Sequence, residues 1–281
     1  MTRKVKLCRA INAKFRIPPH PWNEATDGSM PFAQWQYERG EKTIQFYLDF
    51  TDAKSMFEGK TVVDIGCAAA GKTLYYAKLG VEKIYGVELL ESFRAEAESL
   101  AAKLGLTDKF TFIQADAAAL PFEDNSIDTI IMNDAMEHVD EPERVLAECL
   151  RVLKKGGRLF VNFPPYYHPY GAHLSDALGM PWIHLFFSEK TLIELYKDAV
   201  KDRPDAQDRI HFRTSERADG TAYFSYINKM TIRRFKKILK TTGLKPVYYR
   251  EVPLRRPLKL FARLPVVKEM FVSMVVFVIE K

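Results

Sequence analysis

The chain has few cysteines and no signal-peptide core. Its 281 residues include three cysteines (Cys8, Cys67 and Cys149), and none of them forms a C-x-x-C pair. This usage provides no zinc-binding pattern and indicates a reducing compartment, so we expect a cytoplasmic protein. The basic N-terminus is not followed by an apolar segment, and we therefore expect no signal peptide.

Internal repeats and low-complexity tracts are also lacking. The length leaves room for one large α/β domain, alone or with a cap. Apolar residues make up 47% of the chain, which is ordinary for a globular protein with a sizeable core. The net charge of +6 is spread thinly and no recognised RNA-binding motif accompanies it, so we expect no nucleic-acid partner.

One segment, from Thr61 to Gly71, joins a short apolar run to a turn of small residues. It reads T-V-V-D-I-G-C-A-A-A-G. The β-branched run predicts a buried strand, and the small residues then turn the chain into a helix that begins near Lys72. A parallel strand that ends in such a turn is where open α/β sheets bind nucleotide-like ligands. The segment therefore predicts a ligand site, and two motifs fit it.

The literal motif is a P-loop. Residues 66–73, G-C-A-A-A-G-K-T, match G-x-x-x-x-G-K-[ST], in which backbone N–H groups hold phosphates and the lysine reaches the outer ones. The run from Ile127 to Asp134 ends in an acid and resembles the Mg²⁺-holding strand of an NTPase. This alternative predicts an ATPase that depends on Gly66, Lys72 and Thr73.

The second motif is D-x-G-x-x-x-x-G, over residues 64–71. It resembles the first motif of class I S-adenosylmethionine-dependent methyltransferases, in which Asp64 would stand beside the turn and Gly66 would let the backbone approach the cofactor's methionine half. A phosphate-binding loop needs alternating left-handed residues, and each alanine at 68–70 should resist a positive φ by about 1 kcal/mol. We therefore expect this turn to bind a ligand without phosphate.

An acid at the end of the next predicted strand favours the same interpretation. The sequence K-I-Y-G-V-E predicts a strand from Lys83 to Glu88. Glu88 lies 22 residues after Gly66, close to the interval of about 20 residues at which such an acid accepts ribose hydroxyls.

The third predicted strand, Phe110 to Gln114, is followed by Ala115 and Asp116. This arrangement resembles the family's third-strand motif, whose acid receives the adenine amino group. The segment from Leu120 to Asp128 then resembles the family's lead-in to strand four. A P-loop protein has no reason to place these features at these intervals.

Residues 60–163 together resemble the small-molecule methyltransferase domain of the type 11 kind. The resemblance implies an α/β fold with a Rossmann-like seven-stranded sheet in the order 3-2-1-4-5-7-6, the last strand antiparallel, and helices on both faces. It implies S-adenosylmethionine as cofactor and S-adenosylhomocysteine as product. The cofactor-binding residues expected from it are Asp64, Gly66, Cys67, Ala68, Gly71, Glu88, Leu89, Asp116, Ala117 and Asn133, with Tyr37 and Arg39 from the leading segment.

We expect four parts along the chain. Residues 1–57 form an N-terminal cap with an irregular start and a helix over 34–57, and residues 58–163 form the cofactor-binding core. Residues 164–229 are an inserted substrate lid, because aromatic and histidine side chains are concentrated there. Residues 230–281 return to the sheet with a basic helix over 231–242 and strands over 244–250 and 271–279.

Histidine side chains are the candidates for proton removal from an alcohol or phenol, since their pKa lies near neutrality. His138 follows strand four and is the leading candidate, and His168 and His173 of the lid are the alternatives. No H-E-x-x-H motif or carboxylate-flanked histidine pair occurs, so we expect no metal.

The expected function is O-methylation of a small molecule, sugar or lipid-linked intermediate. The alternatives are the P-loop ATPase and a catalytically silent cofactor-binding module. Residues 255–268 interleave basic and apolar side chains, which fits either a packed connection or peripheral contact with an anionic membrane. Charged residues interrupt any membrane span there. The sequence does not indicate an oligomeric state.

Overall fold

A computed structural model describes residues 2–26, 30–254, 264 and 267–281 of the chain. These residues form two units. The sheet unit comprises residues 30–163, 232–252 and 274–281, and the helical unit comprises residues 1–29, 164–231 and 253–273. The segment 255–268, considered above for membrane contact, lies mostly outside the described residues.

The sheet unit is built on seven strands in the order β3-β2-β1-β4-β5-β9-β8. In chain order, the strands of the molecule are β1 Thr61–Ile65, β2 Lys83–Glu88, β3 Phe110–Gln114, β4 Ile127–Asn133, β5 Leu153–Phe163, β6 Thr214–Glu216, β7 Ala222–Phe224, β8 Tyr248–Pro253 and β9 Val272–Glu280. Strands β1 to β5 pair in parallel, and β9 runs antiparallel to β5. The expected sheet order is confirmed, since β9 and β8 are the seventh and sixth strands of the sheet.

The central strands are apolar because both of their faces are covered. Four of the five residues of β1 are buried, and in β4 only Asp128 is partly exposed. Continuous β-branched and aliphatic runs are what parallel strands between two helical layers require. Such strands leave polar residues only at their ends, and their carboxyl ends share one edge of the sheet.

Twelve α-helices are present among the described residues. They are α1 Arg3–Asn12, α2 Pro21–Thr26, α3 Phe32–Glu38, α4 Gly40–Ile44, α5 Ala53–Phe57, α6 Gly71–Ala77, α7 Arg94–Lys103, α8 Pro142–Val152, α9 Ile183–Phe186, α10 Glu189–Val200, α11 Ala206–Arg213 and α12 Ile232–Thr242. Helix α12 corresponds closely to the helix predicted over 231–242.

The N-terminal prediction is wrong in two respects. The start of the chain is helical in α1 and α2, although its prolines predicted an irregular segment. The predicted helix over 34–57 is three short helices, α3, α4 and α5. Asp52 caps α5 through a 2.8 Å bond from the Ser55 amide to Oδ1, and such a cap marks a helix start.

The helical unit has its own apolar core and a buried ionic cluster. Helix α1 contributes Val5 and Cys8 to the core, and α10 contributes Leu192, Leu195 and Tyr196. The hairpin β6–β7 adds Phe224. No helix among the described residues is both long enough and apolar enough to cross a bilayer.

The ionic cluster centres on Asp176, whose carboxylate is fully buried with the Arg209 guanidinium. Arg209 Nη1 lies 2.7 Å from Asp176 Oδ2, and Arg213 Nη2 lies 3.0 Å from Oδ1. The Tyr196 hydroxyl donates to Oδ2 at 2.8 Å, and Arg209 Nε donates to Asp205 at 2.8 Å. Burial of charges is tolerated here because the charges are paired and hydrogen-bonded.

Candidate cofactor site and catalytic histidines

The turn after β1 adopts alternating left-handed conformations. Gly66 has φ +73°, Ala68 has φ +48° and Ala70 has φ +56°. The prediction that alanines would avoid positive φ here is therefore wrong. Hydrogen bonds hold the turn in place: the amides of Gly66 and Cys67 donate to the Val87 carbonyl at 2.8 and 3.2 Å, and the Ala70 amide donates to the Cys67 carbonyl at 2.8 Å.

The amides of this turn are already used by groups of the protein. The Ala68 amide donates to Glu88 Oε2 at 3.0 Å, and the Gly71 amide donates to Gln36 Oε1 at 3.2 Å. A phosphate-binding loop instead directs such amides at the ligand. The turn therefore has the alternating backbone of a phosphate nest, but five of its amides are engaged within the protein.

The lysine and threonine of the P-loop motif are also engaged within the sheet unit. Lys72 Nζ lies 3.0 Å from Asp134 Oδ2, and the Thr73 hydroxyl donates to Asp64 Oδ2 at 2.5 Å. Burial alone would lower the pKa of Lys72. The negative charge of Asp134 and its hydrogen bond have the larger combined effect and raise this pKa. The geometry does not favour the ATPase alternative, because the groups that would bind phosphate and Mg²⁺ have other partners.

Two glycines of the motif are needed for close approach. A Cβ on Gly66 would lie 2.8 Å from Ala135 Cβ, and a Cβ on Gly71 would lie 1.9 Å from the Ala33 carbonyl oxygen. Gly66 is exposed at the sheet edge, so its backbone is open to a ligand. Glycine is needed at position 71 for a different reason, which is that helix α3 packs directly on it.

Asp64 is buried beneath the turn and is only 5% exposed. Burial raises its pKa to about 6, while the hydrogen bond from Thr73 and the charge of Lys72 act in the opposite direction. The carboxylate therefore fixes the first turn of α6 through Thr73. Its contribution to the site is to hold the turn in shape.

Glu88, at the end of β2, connects several parts of the site. Its Oε2 accepts from the Ala68 amide at 3.0 Å, and its Oε1 accepts from the amides of Leu89 and Leu90 at 2.8 and 3.1 Å. Each carboxylate oxygen has two acceptor positions, so Oε1 is fully used and one position remains on Oε2 for a ligand hydroxyl. The carboxylate is held by three amides and is only half-buried.

The edge beside Glu88 combines an exposed apolar side chain with an exposed acid. Leu89 is 64% exposed although it is a large apolar residue. Asp116 is exposed, and its Oδ1 accepts from the Ala118 amide at 2.8 Å. The Ala115 amide donates to the Glu88 carbonyl at 3.0 Å, which brings Asp116 and Ala117 next to the end of β2. An apolar surface beside a hydrogen-bond acceptor suits a planar base with an amino group.

Cys67 is buried beside this edge, and its backbone amide and carbonyl are both hydrogen-bonded within the protein. The thiol is buried, and a Cβ on Gly86 of β2 would lie 2.8 Å from its Sγ. Burial raises the pKa of the thiol well above its usual range, so it stays protonated. The side chain packs under the turn.

Asn133 belongs to a buried polar network at the ends of β4 and β5. Its Oδ1 accepts from the Tyr47 hydroxyl and from Asn162 Nδ2, both at 2.5 Å, and its Nδ2 donates to the Tyr76 hydroxyl at 3.1 Å. Asn162 Nδ2 also donates to the Tyr47 hydroxyl at 3.1 Å. Side chains from β4, β5, α6 and the segment after α4 thus fix the carboxyl ends of these strands. The sequence offered no signal for the participation of Tyr47 and Tyr76, which resemble ordinary core aromatics.

A group of titratable side chains follows β4. Glu137 is 3% exposed, and burial together with the charge of Asp134 raises its pKa well above the usual range. Its Oε1 lies 3.9 Å from Nε2 of His138, whose side chain is 34% exposed. His138 therefore combines access to solvent with a neighbouring carboxyl group. Sequence inspection did not single out Glu137, although burial of an acid beside a histidine marks functional sites.

The leading segment reaches the site through α3. Gln36 is buried and bonds the Gly71 amide, whereas sequence inspection had selected Tyr37 and Arg39. Tyr37 packs at 6.2 Å from the ring of Tyr75 on α6, and Arg39 stacks at 4.2 Å over Trp35. Tyr37 and Arg39 are half-buried, so both keep part of their surface open.

The remaining candidate histidines lie in the helical unit. Burial lowers the pKa of His168 to about 4, and its Nδ1 accepts from the Tyr170 amide at 3.2 Å. His173 has a left-handed backbone with φ +51°, and its ring lies 6.3 Å from that of Tyr226. His184, which was not a catalytic candidate, is bonded through Nε2 to the Tyr166 carbonyl at 2.8 Å.

The strand order and the residues at the carboxyl edge of the sheet define a class of fold. A seven-stranded sheet with one antiparallel strand carries an aspartate under a left-handed turn and acids after β2 and β3. This is the Rossmann-like fold of class I methyltransferases. A solved S-adenosylmethionine-dependent methyltransferase from Mesorhizobium loti shares the fold, with a TM-score of 0.52 and 14% identity over 84% of this chain and 96% of that one.

One part of the sequence matches a known family model. Residues 63–161 match the family model described as "Methyltransferase domain". Over these residues the chain is similar to S-adenosylmethionine-dependent methyltransferases, whose cofactor is S-adenosylmethionine.

Two curated relatives are named for different methyltransferase activities. The ubiquinone biosynthesis O-methyltransferase of Methylococcus capsulatus is 30% identical over 139 residues, which cover 48% of this chain and 58% of the relative. A sterol 24-C-methyltransferase of Gibberella zeae is 36% identical over 99 residues, which cover 35% of this chain and 26% of the relative. The chain thus spans less than two thirds of the length of either relative.

Proposed function

We propose that the protein transfers a methyl group from S-adenosylmethionine to oxygen of a small lipophilic or lipid-linked molecule. The observation that supports this most directly is the set Asp64, Gly66, Glu88 and Asp116 at one edge of a sheet whose sequence matches a methyltransferase domain. The relatives are named for ubiquinone biosynthesis and for sterol methylation, which supports an acceptor with a long apolar part.

The residues present fit the cofactor. Glu88 keeps one acceptor position on Oε2 for a ribose hydroxyl, and the exposed backbone of Gly66 allows a ligand to approach the turn. Leu89 and Asp116 offer an apolar contact and an acceptor for the adenine ring. S-adenosylmethionine, when bound, supplies a methyl group activated by its sulfonium. Ala68, Cys67 and Ala117 would contribute backbone contacts in this assignment.

We assign proton removal from the acceptor hydroxyl to His138. Its side chain is partly open to solvent, and the Glu137 carboxyl group lies 3.9 Å from its Nε2. His168 is a weaker candidate because a pKa of about 4 makes it a poor base near neutral pH. His173 remains an alternative in the helical unit. Asn133, through its network, would position the end of β4 that precedes His138.

Residues 164–229 remain our proposal for the substrate lid, and residues 1–57 for the cap. Their concentration of aromatic side chains supports an apolar acceptor. Direct contact of Tyr37 and Arg39 with the cofactor is part of the same proposal, and the bond between Gln36 and the Gly71 amide supports it.

The first test is calorimetric titration with S-adenosylhomocysteine and, separately, with ATP and Mg²⁺. Micromolar binding of the first ligand and none of the second is expected. The reverse result would establish the P-loop alternative and refute the proposal. Binding of S-adenosylhomocysteine without turnover of any acceptor would leave the silent binding module as the function.

A second test replaces His138 by Gln and follows methyl transfer to phenolic and isoprenoid acceptors. We expect kcat to fall by about 10²- to 10⁴-fold, with S-adenosylhomocysteine affinity unchanged. Mass spectrometry of the product distinguishes an O-methyl ether from a new carbon–carbon bond. A C-methylated product would contradict the O-methyl assignment while leaving the methyltransferase assignment intact.

A further inference from the structure

The expectation that the net positive charge is spread thinly is wrong, because this charge is concentrated in one stretch. Residues 221–250 contain eight lysines and arginines and no acid, which is a charge of +8 against +6 for the whole chain. The other 251 residues therefore carry a net charge of −2. A basic stretch in an otherwise slightly acidic protein indicates an anionic partner.

Helix α12 places most of this charge on one face. Ile232, Phe235 and Ile238 are buried, so the apolar side of the helix packs on the sheet unit. On the opposite side, the exposed residues are Arg233, Lys236, Lys237 and Lys240, which we call the basic face. With 3.6 residues per turn, these four positions lie within about a third of the helix circumference.

The basic face is only slightly neutralised by the protein itself. Lys236 Nζ lies 2.9 Å from Glu251 Oε1. Within residues 2–26, 30–254, 264 and 267–281, Arg233, Lys237 and Lys240 form no ion pair. Like charges at successive turns of a helix repel one another, so this arrangement gains stability when an anionic surface approaches.

We infer that the basic face binds the anionic headgroups of a phospholipid membrane. Clusters of four or more lysines and arginines on one side of an amphipathic helix have this affinity. The apolar side of α12 is already buried, so the contact is made by charge at the headgroup level and not by insertion. The inference goes beyond the proposed function. It rests on that function only for the idea that the methyl acceptor is dissolved in the membrane.

The same face lacks the groups that read nucleic acid. Phe235 is the aromatic residue of the helix, and it is buried. The hydroxyls of Thr241 and Thr242 donate to carbonyls of their own helix, at 3.0 and 2.8 Å to Ile238. Single-stranded nucleic acid is held by exposed aromatic rings as well as by charge. The ring of Tyr249 lies 5.2 Å from Lys236 Nζ, but this residue is half-buried, so charge predominates on the face and favours lipid headgroups.

The test is sedimentation of the full chain with phosphatidylcholine vesicles that contain or lack phosphatidylserine. The variant carries Arg233→Gln, Lys236→Gln, Lys237→Gln and Lys240→Gln together. Each basic residue at an anionic surface contributes about a fivefold factor, so we expect a loss of several hundred-fold in vesicle partitioning. Wild-type binding should require phosphatidylserine and weaken as salt is raised.

The matched control replaces four exposed lysines elsewhere, Lys42, Lys103, Lys155 and Lys190, by Gln. It has the same change in net charge and should keep wild-type partitioning. Equal loss in both variants, or retention of binding in the α12 variant, would overturn the inference. Binding of RNA but not of vesicles, abolished in the α12 variant, would also overturn it and assign the face to nucleic acid.

Affinity for S-adenosylhomocysteine is measured on the same proteins. Both variants should keep it, because the replaced side chains lie on exposed surfaces, and unchanged urea midpoints would verify folding. If the wild-type protein binds vesicles but not S-adenosylhomocysteine, the proposed function fails while the membrane inference stands.

Discussion

At the scale of single residues, Glu88 has the largest expected effect on ligand binding. Replacement by Ala removes the acceptor proposed for the ribose and also releases the Ala68 amide from its 3.0 Å bond. We expect affinity for S-adenosylhomocysteine to fall by at least roughly thirtyfold, which corresponds to about 2 kcal/mol. Calorimetry measures the change directly.

The control for this prediction is Glu88→Gln. Glutamine keeps the size of the side chain and one acceptor oxygen, so its loss should be smaller than that of Ala. If the Ala variant binds with wild-type affinity, the ribose assignment is wrong.

Asp64 predicts a pH dependence of stability. Its folded-state pKa of about 6 lies above the ordinary value of 3.8, so the folded state holds a proton that the unfolded state has released between these values. Stability contributed by this group is therefore lost as pH rises from about 4 to 6, by up to about 3 kcal/mol.

Asp64→Asn removes the titration and keeps an oxygen that accepts from Thr73. The free energy of unfolding of this variant, minus that of the wild type, should therefore increase as pH rises from 4 to 7. Urea denaturation at several pH values measures this difference. A difference between the two proteins that does not change with pH would contradict the raised pKa.

At the scale of elements, the contact between α3 and the start of α6 depends on Gly71. A Cβ there would lie 1.9 Å from the Ala33 carbonyl oxygen and 2.6 Å from Gln36 Cβ. The backbone of α3 cannot move aside as a flexible side chain can. Gly71→Ala should therefore lower the free energy of unfolding by about 2–4 kcal/mol or displace α3.

Gly59→Ala is the matched control for this change. Gly59 has φ +65° and open space around its Cβ position, so only backbone strain of about 1 kcal/mol is expected. Urea denaturation compares the two variants. Equal costs would show that α3 does not pack on Gly71 as described.

At the scale of the whole molecule, the ionic cluster lies within the helical unit, so we expect its loss to destabilise that unit and not the sheet unit. Asp176→Ala would leave Arg209 and Arg213 buried without their common carboxylate, at a cost of about 3–5 kcal/mol. Hydrogen exchange should then accelerate in α10 and α11, while the strands of the sheet unit keep their protection. Asp176→Asn, which retains acceptor capacity, should have a smaller effect.

Much of this architecture was predictable from local patterns. Strands β2 and β3 occupy the predicted residues, and the sheet order matches the order expected from the family resemblance. The reason is that a buried parallel strand is a short continuous apolar run, and the ligand acids follow at its end. Local pattern failed in the N-terminal region, where short helices are specified by caps and packing and not by periodicity.

The sequence by itself determined the similarity to methyltransferase domains, which implies the cofactor, and the acids at the strand ends, because motifs and strand patterns depend on order along the chain. Only the tertiary structure decided the conformations of Ala68 and Ala70, whose strain of about 1 kcal/mol each is offset by hydrogen bonds to Val87, Glu88 and Cys67. It also decided that Lys72 pairs with Asp134. Such partners lie far apart in the chain, so their contact depends on how the strands are arranged.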